Sequence, residues 1–194
     1  MTRPASPSKL HISFFALVML LYLVYPAYLI QRQEGILERG EAFRFELQPV
    51  DPVDVFRGRY LDLYYELPEF EPPPDVREGQ AIYLGIRTDE RGYAYFDRLL
   101  TAPPAEGAYL RTRVSYLGPD LLYYELPDNM VRYYLNERTA PLAEAALAEL
   151  LANPPETDTT VPAYALVRVL DGQARIEQLY FDGLPLLEYL KRES

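Results

Sequence analysis

The chain opens on one unbroken apolar run and then changes period. Residues 10–30 (LHISFFALVMLLYLVYPAYLI) contain no lysine, arginine or acid. As a helix rising ~1.5 Å per residue the run reaches about 30 Å, the thickness of a bilayer core. Tyr22, Tyr25 and Tyr28 lie toward its far end, where aromatic side chains favour the interface, and Pro26 is expected to kink or end the helix there. Residues 31–40 read as a juxtamembrane segment that extends the helix by a turn or two. Beyond Gly40 apolar residues recur every second position. Phe43, Phe45 and Leu47 alternate within 41–47. After Gly58, Leu61, Leu63, Tyr65 and Leu67 share one face and Tyr60, Asp62, Tyr64 and Glu66 the other. Period two predicts half-buried strands.

Further strands are predicted over 81–87 and 93–100, joined by a turn ending at Gly92, and over 109–117. Asp51-Pro52 reads as a turn, with Asp54 capping local amides and Gly58 suited to a bulge at the strand entrance. Residues 70–75, with three prolines, read as an extended loop. The hexamer LYYELP occurs twice, at 63–68 and 122–127. Each copy precedes a Tyr-x-x-x-Arg strand (Tyr83 and Arg87; Tyr164 and Arg168), a glycine turn (Gly92; Asp171-Gly172) and a returning strand. The repetition raises the expectation of two duplicated β lobes, units 60–100 and 117–183, against coincidence in a chain rich in leucine and tyrosine. A helical insertion near 139–153 interrupts the second. Thr139 is its expected N-cap, Pro141 sits in the first turn, and Asn153-Pro154-Pro155 stops it. The tail from Leu184 is expected to form a helical turn or more.

Composition narrows this reading. Arg3 and Lys9 precede the apolar run, while Arg32 beyond it is offset by Glu34, so the positive-inside bias places residues 1–9 in the cytoplasm and 41–194 outside. The length of the run and the lack of an A-x-A site favour an uncleaved anchor over a signal peptide. The chain of 194 residues has no cysteine, which excludes lipoprotein processing and leaves an exported domain to be stabilised by packing. A formal charge of −10 argues against nucleic acid and against broad adhesion to anionic headgroups. Lysine occurs only at positions 9 and 191, so nearly all positive charge is arginine; we read this as a compositional habit. The 18 tyrosines, with no tryptophan, suit half-exposed strand faces.

The stretch Gly58-Arg59-Tyr60-Leu61-Asp62-Leu63-Tyr64-Tyr65 resembles the signature of a bacterial family of uncharacterised membrane-anchored proteins named after its motif, GDYXXLXY. Gly58, Tyr60, Leu63 and Tyr65 match; Arg59 stands at the acidic position. The likeness extends to Asp51-Pro52, Asp54, Arg132-Tyr133-Tyr134, Glu137 and the C-terminal hairpin. The resemblance implies a bacterial inner-membrane setting and a multi-spanning membrane protein as partner. It supplies no activity, and Arg59 sets aside any role needing an acid there.

Candidate chemistry is sparse. The one histidine, His11, lies in the apolar run, so neither a His-based triad nor a His-containing metal site is available outside it. Ser115 lies within a predicted strand, with nothing nearby in sequence to activate it. The Gly-x-Tyr strand is similar to the entry of the signal-peptidase barrel, but that enzyme's upstream serine and lysine base are absent. Asp51, Asp54, Asp62 and Glu66 do not have the spacing of a calcium loop, and Arg57 and Arg59 compete for them as ion-pair partners. The sequence therefore predicts no cofactor, metal or catalytic residue. It predicts a mainly β (α+β) domain behind a transmembrane helix that acts as a non-catalytic accessory module. Arg59, Tyr60 and Asp62 are the candidate binding residues, and Gly58, Leu63 and Tyr65 hold the motif in place. Tyr60 either covers a second layer or serves recognition. The rival reading is an extracytoplasmic hydrolase using carboxylates or a bound metal.

Overall fold

The structure is a computed structural model that describes residues 9–49, 60–153 and 161–192. The predicted turn at Asp51, Pro52 and Asp54, with Arg57, Gly58 and Arg59, lies outside those residues, as does the Pro154-Pro155 pair expected to stop the inserted helix. One helix, α1 (Lys9–Arg39), leads into a mixed α+β domain. Among the described residues it alone is long and apolar enough to cross a membrane, and none of its apolar window is buried. The helix does not end at Pro26. A proline removes one hydrogen bond from the ladder, and thirty other residues hold the helix on either side.

Three sheets follow. The first has the order β1–β8–β9–β10, where β1 is Glu41–Glu46, β8 Ala163–Leu170, β9 Gln173–Phe181 and β10 Leu184–Pro185. The second has the order β4–β3–β5–β6, from Ala94–Leu100, Ala81–Thr88, Tyr109–Leu117 and Leu122–Glu125. A short ribbon pairs β2 (Tyr60–Asp62) with β7 (Arg132–Tyr134). Three helices complete the domain: α2 (Asp128–Val131), α3 (Thr139–Ala152) and α4 (Leu186–Arg192). The predicted alternations at β1, β3, β4, β5, β8 and β9 all appear as strands. At α3 the capping oxygen belongs to Asn136, which accepts from the Arg138 and Thr139 amides and the Thr139 hydroxyl, so Thr139 is capped and is not the cap.

Two expectations give way. The strand after Gly58 lasts three residues, and 63–69 run outside any strand. Leu61 and Leu63 are buried as their alternation requires, but Leu67 is 40% exposed. The two LYYELP copies are not equivalent. The first is irregular, whereas the second forms β6, in the same sheet as the β3–β4 hairpin. They touch one another: the Tyr124 hydroxyl donates to the Pro68 carbonyl at 2.9 Å, and the Leu122 amide donates to the Phe70 carbonyl at 2.9 Å. A small buried cluster, Ile82, Val114 and Leu122, sits apart in the second sheet, but the main core is shared. Phe43 and Phe45 of β1, Leu84 of β3, Phe96 of β4, Leu147 of α3, and Leu179 and Phe181 of β9 belong to one buried cluster. Both four-stranded sheets contribute to this cluster, so the structure shows one shared main interior and not a duplicated pair of lobes.

The end of α1 is built into the domain. Ile36 is buried, and the Gly40 amide closes the helix by donating to the Ile36 carbonyl at 2.9 Å. Arg168 of β8 donates from Nη1 to the Gly40 carbonyl at 3.1 Å, while its Nε pairs with Glu177 of β9 at 2.5 Å. A guanidinium at a helix C-terminus satisfies a free carbonyl and opposes the dipole. Glycine is required at the junction by space. A Cβ on Gly40 would stand 2.4 Å from the Ile36 carbonyl oxygen and 3.1 Å from that of Val169. Gly40→Ala is therefore expected to destabilise the protein by about 1–3 kcal/mol through overpacking. Gly35→Ala meets only the movable tip of Arg39 and is expected to gain about 0.5–1 kcal/mol from helix propensity. Thermal melting of both full-length variants in detergent checks the contrast.

Candidate functional site

The ribbon is too short to be held by its own ladder, and the side chains on its two faces decide what it does. Its register sets Tyr60 opposite Tyr134, Leu61 opposite Tyr133 and Asp62 opposite Arg132. Alternation sends Leu61 into the core together with Leu63, whose amide continues the pairing to the Val131 carbonyl at 2.8 Å. Tyr133 packs against that core, and burial pushes its phenol up. The other face carries Tyr60, Asp62, Arg132 and Tyr134.

Arg132 organises that face. Its Nη1 donates to Asp128 Oδ2 at 2.8 Å, its Nε lies 3.8 Å from Asp62 Oδ1, and its guanidinium carbon sits 5.3 Å above the Tyr60 ring. At 3.8 Å the Asp62 contact is an ion pair without a hydrogen bond. Arg132 Nε is buried and has no hydrogen-bond partner among the described residues. A buried donor in that state is costly and calls for an acceptor. Tyr60 and Tyr134 lie 5.8 Å apart, and Tyr134 is 69% exposed. From α3, Glu144 faces the same patch. Its carboxyl is held above the usual carboxylate range, first by desolvation and then by the charge of Asp62.

Of the residues predicted to bind, the structure brings Tyr60 and Asp62 to this outward face; Arg59 lies outside the described residues. Leu63 and Tyr65 are turned inward. The Tyr65 hydroxyl donates to the Met130 carbonyl at 2.7 Å and its ring meets Phe45 edge-on at 5.9 Å. Sequence reasoning named Arg132 and Tyr134 only through the resemblance and missed Asp128 and Glu144. The Asp128–Arg132 spacing of one helical turn was a local signal for that ion pair. The approach of Glu144 to Asp62 has no local signal, because it depends on where α3 lands. Ser115 is exposed on β5, and among the described residues no three His, Cys, Asp or Glu side chains are grouped to hold a metal ion.

The sign of the Glu144 shift gives a test. A carboxyl raised in the folded state favours folding while protonated and costs stability as pH rises through its folded value. Glu144→Gln is expected to melt higher than the wild type at neutral pH. The gain should vanish below the ordinary carboxylate range, where Glu144 is neutral in both states. Melting temperatures measured as a function of pH check both ends.

A family model described as GDYXXLXY protein matches residues 22–179. No curated protein and no solved structure matches the chain.

Proposed function

Because the chain belongs to the GDYXXLXY family, we propose that it is a non-catalytic, membrane-anchored accessory module that holds another membrane protein or an envelope component. The outward face of the β2–β7 ribbon makes the contact. The observation that carries this reading is the Arg132 guanidinium, whose Nε lacks an acceptor among the described residues and which lies over Tyr60, itself paired with the exposed ring of Tyr134. Arginine and tyrosine dominate the strongest contacts of protein interfaces, because each combines a large flat contact area with directed hydrogen bonds. A carboxylate or backbone carbonyl from a partner, accepting from the partly exposed guanidinium beside the Tyr60 ring, completes the site.

In this reading 10–30 is the transmembrane anchor, 31–40 carries α1 into the domain, and 41–194 lies outside the cytoplasm of a bacterial inner membrane. The partner is a multi-spanning protein of that membrane. The charge pattern around the apolar run supports the orientation. Reporter fusions at the C-terminus check it: a reporter active only outside the cytoplasm is expected to work and one active only inside to stay silent.

The Asp62–Glu144 juxtaposition is where a carboxylate hydrolase would have its acid and base, since neighbouring acids with separated proton affinities are a common catalytic device. The module reading expects no turnover of generic ester, peptide or glycoside substrates by the full-length protein. It also expects Tyr134→Ala and Arg132→Ala to lose, by roughly tenfold or more, a partner captured by crosslinking in native membranes. Tyr134→Ala should leave the melting temperature within about 2 °C of the wild type, because its ring is mostly in water. Substrate turnover that Glu144→Gln abolishes would replace the module reading with the hydrolase.

A further inference from the structure

Away from the ribbon's outward face, a cleft of about 190 Å³ opens where the end of β1, the irregular run after β2 and the β3–β4 turn come together. Its walls are aromatic. Tyr65 and Phe45 form the inner side, Tyr93 and Tyr95 the outer, and Tyr95 is 46% exposed. The polar groups are set before any ligand arrives. Asp89 Oδ1 accepts from the Arg91 amide at 3.0 Å and the Tyr93 amide at 2.8 Å, and Asp89 Oδ2 takes the Arg91 Nε at 3.3 Å. Glu46 holds the other end of the guanidinium, which lies over the Tyr93 ring at 5.5 Å. Tyr93 in turn rests edge-on against Tyr164, itself stacked on Tyr180 at 4.8 Å. Two further polar groups, the Gln48 side-chain amide and the Glu66 carboxylate, line the cleft.

The donor and acceptor set selects a ligand class. Glu46, Asp89 and Glu66 outnumber Arg91, which repels phosphates and carboxylates. A second organic cation is disfavoured because Arg91 already occupies the face of Tyr93. What remains is an uncharged molecule whose polar groups both donate and accept and whose body has an apolar face. A pyranose ring fits that description. Its hydroxyls donate to carboxylates and accept from an amide or guanidinium, and its C–H face packs on tyrosine. The volume suits one ring, being below the ~300 Å³ at which drug-sized pockets begin.

We propose that this cleft binds one saccharide unit of a neutral glycan, with Gln48 and Glu66 reading its hydroxyls and Tyr95 covering its apolar face. The proposal uses different residues from the Arg132 patch, so either can fail alone. The test uses full-length protein in lipid nanodiscs, free of glycoside detergents, and reads saturation transfer by NMR. The probes are chitotriose, maltotriose and, as a cationic comparison, choline. At least one trisaccharide is expected to bind saturably in the range of ~1–10 mM. Gln48→Ala and Glu66→Gln should each weaken it by roughly tenfold, the loss of one hydrogen bond to a charged or amide group. Tyr123→Ala, an exposed tyrosine on another strand, should leave it unchanged. The proposal is overturned if neither trisaccharide saturates, if both cleft variants bind like the wild type, or if choline binds and the sugars do not.

Discussion

Tyr65 is the tie on which the domain's interior arrangement rests. Its ring edge meets Phe45 of β1, and its hydroxyl reaches the Met130 carbonyl of α2 at 2.7 Å. Burial pushes the phenol well above its ordinary value, so the hydroxyl remains a donor at every physiological pH. The run from 63 to 69 has no strand partner, and single contacts fix it. The Leu63 amide bonds to the Val131 carbonyl, the Gln48 amide to the Tyr64 carbonyl, and Tyr124 to Pro68. Losing the Tyr65 hydroxyl would leave a buried carbonyl unpaired, at a cost of about 1–3 kcal/mol. It would also loosen the ribbon on one side and the Gln48 cleft on the other.

Much of this was legible because period-two burial is a local property. Phe43 and Phe45, or Ile82 and Leu84, announce their strands without reference to the rest of the chain. The same signal misled after Gly58. Leu61, Leu63 and Tyr65 alternate because of what they pack against, yet Leu63 and Tyr65 lie outside any strand. Alternation reports sidedness; a strand also needs a neighbour with free amides and carbonyls, and that is a property of the fold. The two LYYELP copies make the point with identical residues. Leu63 and Leu122 are both buried and Tyr64 and Tyr123 both exposed, but one segment is irregular and the other an edge strand. In the candidate site, Tyr60 and Asp62 were found because they lie on one strand. Glu144 was not, because the meeting of α3 with β2 is written in neither segment.

The preference for arginine, read from sequence as habit, has a structural use. Among the described residues Arg44 lies over Tyr164, Arg91 over Tyr93, Arg132 over Tyr60 and Arg192 over Tyr189. A planar, weakly hydrated guanidinium stacks on a phenol ring while still directing hydrogen bonds to a carboxylate at its edge, which an ammonium group does less well. In a chain of net charge −10, such pairs place the scarce positive charge at fixed points and leave the remaining surface acidic.

The closure of α1 onto β8 removes slack between rod and head. From Arg39 to Glu41 only Gly40 intervenes, and Arg168 clasps its carbonyl. A tethered head on a loose linker sweeps a volume and searches for what it binds. This one has a heading set by its stem. With that stem in a bilayer, turning the head means turning the rod about its own axis, and each exposed face keeps one height above the lipid. For any protein sharing that membrane, encounter would then be a matter of lateral drift within the sheet of lipid, where one of the wrong stature is missed however often it passes.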